Sequence, residues 1–149
     1  MDGTLLSMAD IVVATDSPAV FDQFRSVLDV AGSTVRWVQR GQDVSPSLNE
    51  RPADLVILDM QIGNMGALAV AADIRMEAEA GRLEPAACLV VLDRRADVFL
   101  ARRTRVDGWI IKPLDPIRIR RAAAALLAGR RWEDPSYLPQ PVNAGSDVG

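Results

Sequence analysis

The sequence predicts an α/β domain built on a parallel sheet. Three observations carry that reading. Short aliphatic runs recur along the chain, segments of helical periodicity separate them, and three of the runs ("DIVVAT", "DLVIL" and "ACLVVL") hardly alternate with polar residues. Strands covered on both faces read that way. Repeated strand–helix units imply right-handed crossovers within one sheet. A chain of 149 residues points to one domain.

The elements follow in order. "DIVVAT" at 10–15 is β-branched and apolar, a buried first strand. Asp16 or Ser17 caps the next helix, with Pro18 in its first turn. Val20, Phe24, Val27, Leu28 and Ala31 fall at helical spacing, and Gly32 ends the run. "TVRWV" at 34–38 is a second strand, and "DVSPSLNERP" holds a short helix or turn closed by Pro52. "DLVIL" is the third strand. Residues 65–79 read as helix, with Leu68, Ala71 and Ala72 on its apolar face, ended by Gly81 and Pro85. "ACLVVL" is the fourth strand, residues 96–103 form a short helix, and "GWII" at 108–111 is the fifth strand. Asp115-Pro116 starts a final helix by the same cap-then-proline logic, closed by Gly129. Residues 130–149 are Pro-rich without periodicity and read as a partly disordered tail, in which Trp132 and Tyr137 can dock on the domain or on a partner. Residues 1–8 form an N-terminal extension.

Composition removes several classes. There is no histidine, which excludes histidine-based catalysis, metal sites and pH switches. One cysteine, Cys88, allows no internal disulfide; within "CLVVL" it reads as a small buried hydrophobe. No apolar run approaches the ~18 residues of a membrane span, and no secretory signal opens the chain. A cytoplasmic protein is expected. Charge is uneven: residues 1–93 hold 6 basic and 14 acidic side chains, and residues 94–131 hold 11 basic and 3 acidic. The second stretch is either a solvated helix surface or a basic face for an acidic partner.

In open α/β sheets, ligands gather outside the carboxyl ends of the strands. Those ends carry Thr15-Asp16, Asp59, Asp93 and Lys112-Pro113. Any one acid is a common cap or loop residue; strand ends that behave alike are harder to dismiss. Three acids and a lysine suit a hard cation such as Mg²⁺, which needs one or two carboxylates and keeps waters. Asp16 and Asp59 would supply them, with a backbone carbonyl from the loop after Asp59. Lys112 can pair with Asp59 or with a phosphoryl group placed on it. An aspartate carboxylate can attack phosphorus to form an acyl phosphate, with cation and lysine offsetting the charge.

Here "IVVATDSP", "DLVILDMQIGNMG" and "GWIIKPLDP" resemble the receiver domain of two-component response regulators. The resemblance covers residues 9–129. It rests most on Asp59 ending an aliphatic strand, Gly66 seven residues on, and Lys112-Pro113 after a fifth strand. It implies a flavodoxin-like, doubly wound five-stranded sheet in the order 2-1-3-4-5, the order of the family's chemotaxis member, here with a shortened fourth helix. It makes Asp59 the phospho-acceptor, Asp16 and Asp59 Mg²⁺ ligands together with the Gln61 backbone carbonyl, Lys112 the contact to the phosphoryl group, and Trp109 the switch aromatic. A sensor histidine kinase or phosphotransfer protein is the implied donor. The implied role is a single-domain phosphorelay regulator rather than an enzyme, at most catalysing its own phosphoryl gain and loss.

Two positions depart from the family pattern. Thr15 replaces one acid of the usual pair after strand one, and Asp93 stands where Ser or Thr usually binds the phosphoryl group. Two carboxylates ~5 Å apart at an effective dielectric of ~20 repel by about 3 kcal/mol. That favours an alternative, an atypical receiver that works as a phosphorylation-independent interaction module. The expected output is a protein partner on the basic face between the fourth and fifth helices; a homodimer through the same face is a further expectation. Direct DNA binding is not expected, because the basic residues are not interleaved with aromatics and no separate effector follows. "MDGTLL" imitates part of a phosphatase motif but lacks its nucleophile. "TDSPAV" is too acidic for a flavin phosphate loop.

Overall fold

A computed structural model describes residues 8–30, 32–62 and 66–137, with Tyr137 as backbone only. Ala31, Met65, the Tyr137 side chain and most of the N-terminal extension and the tail lie outside the described residues. The elements are β1 (Asp10–Ala14), α1 (Pro18–Leu28), β2 (Thr34–Val38), α2 (Val44–Glu50), β3 (Leu55–Asp59), α3 (Ala67–Glu79), β4 (Ala87–Leu92), α4 (Val98–Thr104), β5 (Gly108–Ile111), α5 (Pro116–Leu127) and β6 (Trp132–Glu133). The sheet order is β2-β1-β3-β4-β5-β6, with every neighbouring pair parallel.

Side-chain alternation along the strands splits the interior into two layers. Val12, Val56, Val90 and Trp109 face α2, α3 and α4. Ile11, Ile57, Leu89 and Ile110 face α1 and α5. Both faces of β1, β3 and β4 are therefore buried, which is why these strands read as unbroken aliphatics. Cys88 belongs to the core, and burial pushes its thiol up to about 12.

The helix starts follow the predicted caps. The Ser17 Oγ accepts from the Val20 amide at 3.2 Å, and Asp115 Oδ1 accepts from the Arg118 amide at 2.9 Å. In both, proline follows at the first helical position, where no amide hydrogen is needed. At the end of α5, Gly129 adopts φ +79°, which a side chain would disfavour. The fourth helix is indeed short: a 3₁₀ turn at Arg95–Asp97 leads into seven α-helical residues. In "DVSPSLNERP" the short helix is α2, and α3 begins at Ala67.

The sheet has one strand more than the five expected. The first residues of the segment read as a tail form β6, parallel to β5, with Gly108 opposite Trp132 and Trp109 opposite Glu133. Gly108 explains the approach: a Cβ there would lie 2.5 Å from the Trp132 carbonyl oxygen. Trp132 packs against the layer that holds α5, and Asp134 beyond it is fully buried. Two residues of strand carry no readable alternation, so sequence pattern alone passes over them.

Candidate functional site

The aligned register brings the carboxyl ends of β1, β3, β4 and β5 to one edge. Asp59 is the last residue of β3 and only 2% exposed. A buried carboxylate needs partners on both oxygens, and this one has them. Thr15 Oγ1 donates to Asp59 Oδ2 at 2.7 Å. Lys112 Nζ donates to Oδ1 at 3.0 Å, and the Gln61 amide donates to Oδ1 at 3.2 Å.

Asp93, in the loop after β4, faces the same lysine. Lys112 Nζ donates to Asp93 Oδ1 at 2.9 Å, and Gln61 Nε2 donates to Asp93 Oδ2 at 2.7 Å. Lys112 thus bridges two carboxylates, and Gln61 touches both through its main chain and its side chain. Burial works against the charge of Lys112, but its hydrogen bonds to Asp93 and Asp59 and their negative charges hold its pKa above the ordinary lysine value. Burial likewise opposes ionisation of Asp93. The hydrogen bonds from Lys112 and Gln61, with the charges of Lys112 and Arg94, outweigh it and hold the carboxyl below its usual value. Among 17 basic residues Lys112 is the chain's single lysine. An ammonium, unlike a planar guanidinium, can share its three donors between two acids at different angles.

Thr15 is itself held. Its Oγ1 accepts from the Ser17 amide at 3.0 Å, and its carbonyl accepts from Trp37 Nε1 at 2.8 Å. Trp37 stacks on Phe21 with ring centroids 4.8 Å apart and an interplanar angle of 7°. Trp37 and Phe21 therefore anchor the loop after β1. Their pairing joins β2 to α1 and has no signature in local spacing.

Of the predicted site residues, Thr15, Asp59, Gln61, Asp93 and Lys112 meet in one hydrogen-bonded group. Asp16 lies beside them in sequence but is exposed. Among the described residues no group of three or more acids or cysteines is spaced to hold a metal. Trp109 is fully buried in β5, with the Arg102 guanidinium 5.6 Å from its ring centroid, and it is not part of the hydrogen-bonded group.

The fourth and fifth helices each expose arginines and apolar side chains. Phe99 on α4 is 64% exposed, with the Arg103 guanidinium 5.5 Å from its ring centroid, and Ile117 on α5 is 60% exposed; Arg95 and Arg121 are exposed as well. Residues 131–134 cross the edge of β5 beside them. Arg131 Nη1 donates to the Val106 carbonyl at 2.8 Å, and Glu133 lies 3.8 Å from Arg102. Among the described residues no helix is long and apolar enough to cross a membrane.

Comparison with known proteins bears on the family and the fold. An uncharacterized 14.6 kDa protein in the sodA1 3′ region of Leptolyngbya boryana is 26% identical over 114 residues, which is 76% of this chain and 86% of that protein. The alginate biosynthesis transcriptional regulatory protein AlgB of Pseudomonas aeruginosa is 28% identical over 131 residues; the match takes in 88% of this chain but only 28% of AlgB. In structure, a two-component response regulator of the LuxR family from Aurantimonas sp. SI85-9A1 superposes with a TM-score of 0.75 over 87% of this chain and 92% of that one, at 24% identity, which speaks for the fold alone. The family model for the response regulator receiver domain matches residues 11–124. The match contains all five residues of the hydrogen-bonded group, and the chain belongs to the response regulator receiver domain family.

Proposed function

We propose that the chain works in a phosphorelay, with Asp59 accepting a phosphoryl group from a histidine kinase or phosphotransfer protein. The observation that carries this is Asp59 itself: a carboxylate at the end of the central strand, buried, with a lysine Nζ at 3.0 Å. In that reaction a carboxylate oxygen of Asp59 attacks phosphorus, the bond from phosphorus to the donor breaks, and the donor leaves with the electron pair. Lys112 stays protonated and offsets the charge that arrives. Thr15 keeps the other carboxylate oxygen in place. The residues fit a mostly hydrated Mg²⁺, which needs few protein oxygens: Asp59, the Gln61 carbonyl and exposed Asp16 are the available donors. When bound, the cation would further neutralise the incoming phosphoryl oxygens. The chemistry of the chain is then confined to gaining and losing that group, and its output is a change in protein contacts at the basic α4–α5 face.

The experiment is labelling with acetyl phosphate and Mg²⁺, read on a phosphate-affinity gel. A shifted band in the wild type and none in Asp59→Asn supports the proposal. No shift under conditions that label an ordinary receiver overturns it.

A second reading is favoured by Asp93. Its carboxylate already occupies Lys112 at 2.9 Å, so part of the contact that a phosphoryl group would make is made without one. On this reading the domain is a phosphorylation-independent interaction module. It predicts that Asp59→Asn leaves partner capture unchanged, and loss of capture in that variant excludes it.

A further inference from the structure

The loop that carries Lys112 is held by the C-terminal segment. Arg118, on α5, is the link. Its Nη1 donates to the Ile111 carbonyl at 3.0 Å and its Nη2 donates to the Pro113 carbonyl. These are the residues on either side of Lys112, so one guanidinium grips the backbone before and after the lysine. Asp134 in turn holds Arg118. Its Oδ2 accepts from Arg118 Nη1 and from the Ile111 amide at 2.8 Å, and its Oδ1 accepts from the Ser136 amide at 2.9 Å. Asp115 supplies the second acid, accepting from Arg118 Nε at 2.5 Å.

The geometry explains why an aspartate stands at 134. Strand β6 ends at Glu133, and the Asp134 amide makes the last backbone bond, to the Trp109 carbonyl at 3.2 Å. The next donor on the edge of β5 is the Ile111 amide. The Asp134 carboxylate takes it in place of a backbone carbonyl and stays buried at 0% exposure. A buried carboxylate is tolerated only when paired and hydrogen-bonded, and two of the three donors it meets, the Arg118 guanidinium and the Ile111 amide, are those that fix the Lys112 loop. The two ends of this chain of contacts also share a surface cavity of about 420 Å³, lined by Asp93, Lys112, Pro113, Arg118 and Ser136 among others.

We propose that Asp134 and Arg118 are positioning residues for Lys112, coupling the docking of residues 132–136 to the state of the acidic site. The inference rests on the reading that Lys112 serves Asp59. Because coupling is reciprocal, a change at Asp59 also changes how firmly the C-terminal segment is held.

The test uses the full chain and no phosphodonor. Selective ¹³C labelling of lysine gives one Cε signal, because Lys112 is the single lysine. Asp134→Asn and Arg118→Gln should each shift or broaden that signal, while Glu133→Gln, on the exposed side of the same strand, should leave it in place. In the reciprocal measurement, Asp59→Asn should speed amide exchange at Ile111, Trp132, Glu133, Asp134 and Ser136 by about ten-fold relative to wild type. A lysine signal unmoved in the Asp134 and Arg118 variants overturns the proposal. So does unchanged Ile111 exchange in Asp59→Asn, which keeps the test decisive if either of the other variants fails to fold. Failure of wild-type Asp59 to take a phosphoryl group would remove the proposed function and leave these two readouts to decide the coupling.

Discussion

At the scale of single residues, the site is a problem of charge placement. Asp59, Asp93 and Lys112 leave one net negative charge in a partly buried group, and Thr15 adds a hydroxyl where a third acid would stand. The hydroxyl bonds Asp59 at 2.7 Å without adding repulsion. Thr15→Val removes that bond and leaves a buried carboxylate oxygen unsatisfied, a loss of about 1–3 kcal/mol by denaturant unfolding. Thr15→Asp instead restores an acid. It should lower the melting temperature without Mg²⁺ and make Mg²⁺ more strongly stabilising than in the wild type, because a ligand that binds the folded state raises its stability. Equal Mg²⁺ effects in both proteins would remove Asp59 and its surroundings from the account of cation binding. Asp93 was legible only as an anomaly in the register of "VVLDRR". Its role as the second partner of Lys112 needed the fold, because the spacing of 19 residues says nothing about which way either side chain points.

At the scale of elements, the strand ends were the most readable part of the molecule and the β5 edge the least. Aliphatic runs closed by Asp59 and by Lys112-Pro113 announce strand and site together, since burial and function act on adjacent residues. Gly108 announces nothing. Its reason is the Trp132 carbonyl, which a Cβ would meet at 2.5 Å. Gly108→Ala should therefore displace β6 at a cost of about 1–3 kcal/mol, seen as faster proteolysis after Arg131 with the rest of the domain intact. Helix α5 makes a separate prediction. The Arg118 amide, first, and then the Arg118 side chain hold the Asp115 carboxyl below its ordinary value. A carboxyl depressed in the folded state contributes stability that is fully present above its unfolded value of about 4. That contribution is lost as pH falls through the lower folded value. Asp115→Asn keeps a good helix cap and removes only the charge, so its melting temperature should fall less steeply on acidification than that of the wild type.

At the scale of the whole molecule, the C-terminal segment touches both the acidic edge of the sheet, through Arg118 and the backbone beside Lys112, and helix α4, through Glu133 and Arg102. The fold class and the short fourth helix were legible because hydrophobic period and caps are local signals; the order of the five strands came from the resemblance to receiver domains. The sixth strand and the buried Asp134 were not, because a two-residue strand has no period and a buried acid is recognisable only by its partners. This arrangement gives a path from site to surface: Asp59 to Lys112, Lys112 to the backbone held by Arg118, and Arg118 to Asp134 in the segment that crosses the β5 edge. Everything on that path presumes that Asp59 is the residue that changes. The most direct test is intact-mass measurement of wild type, Asp59→Asn and Asp93→Asn after acetyl phosphate and Mg²⁺. The account predicts a gain of one phosphoryl group in the wild type and in Asp93→Asn, and none in Asp59→Asn. No gain in the wild type, or a gain that survives Asp59→Asn, would contradict it.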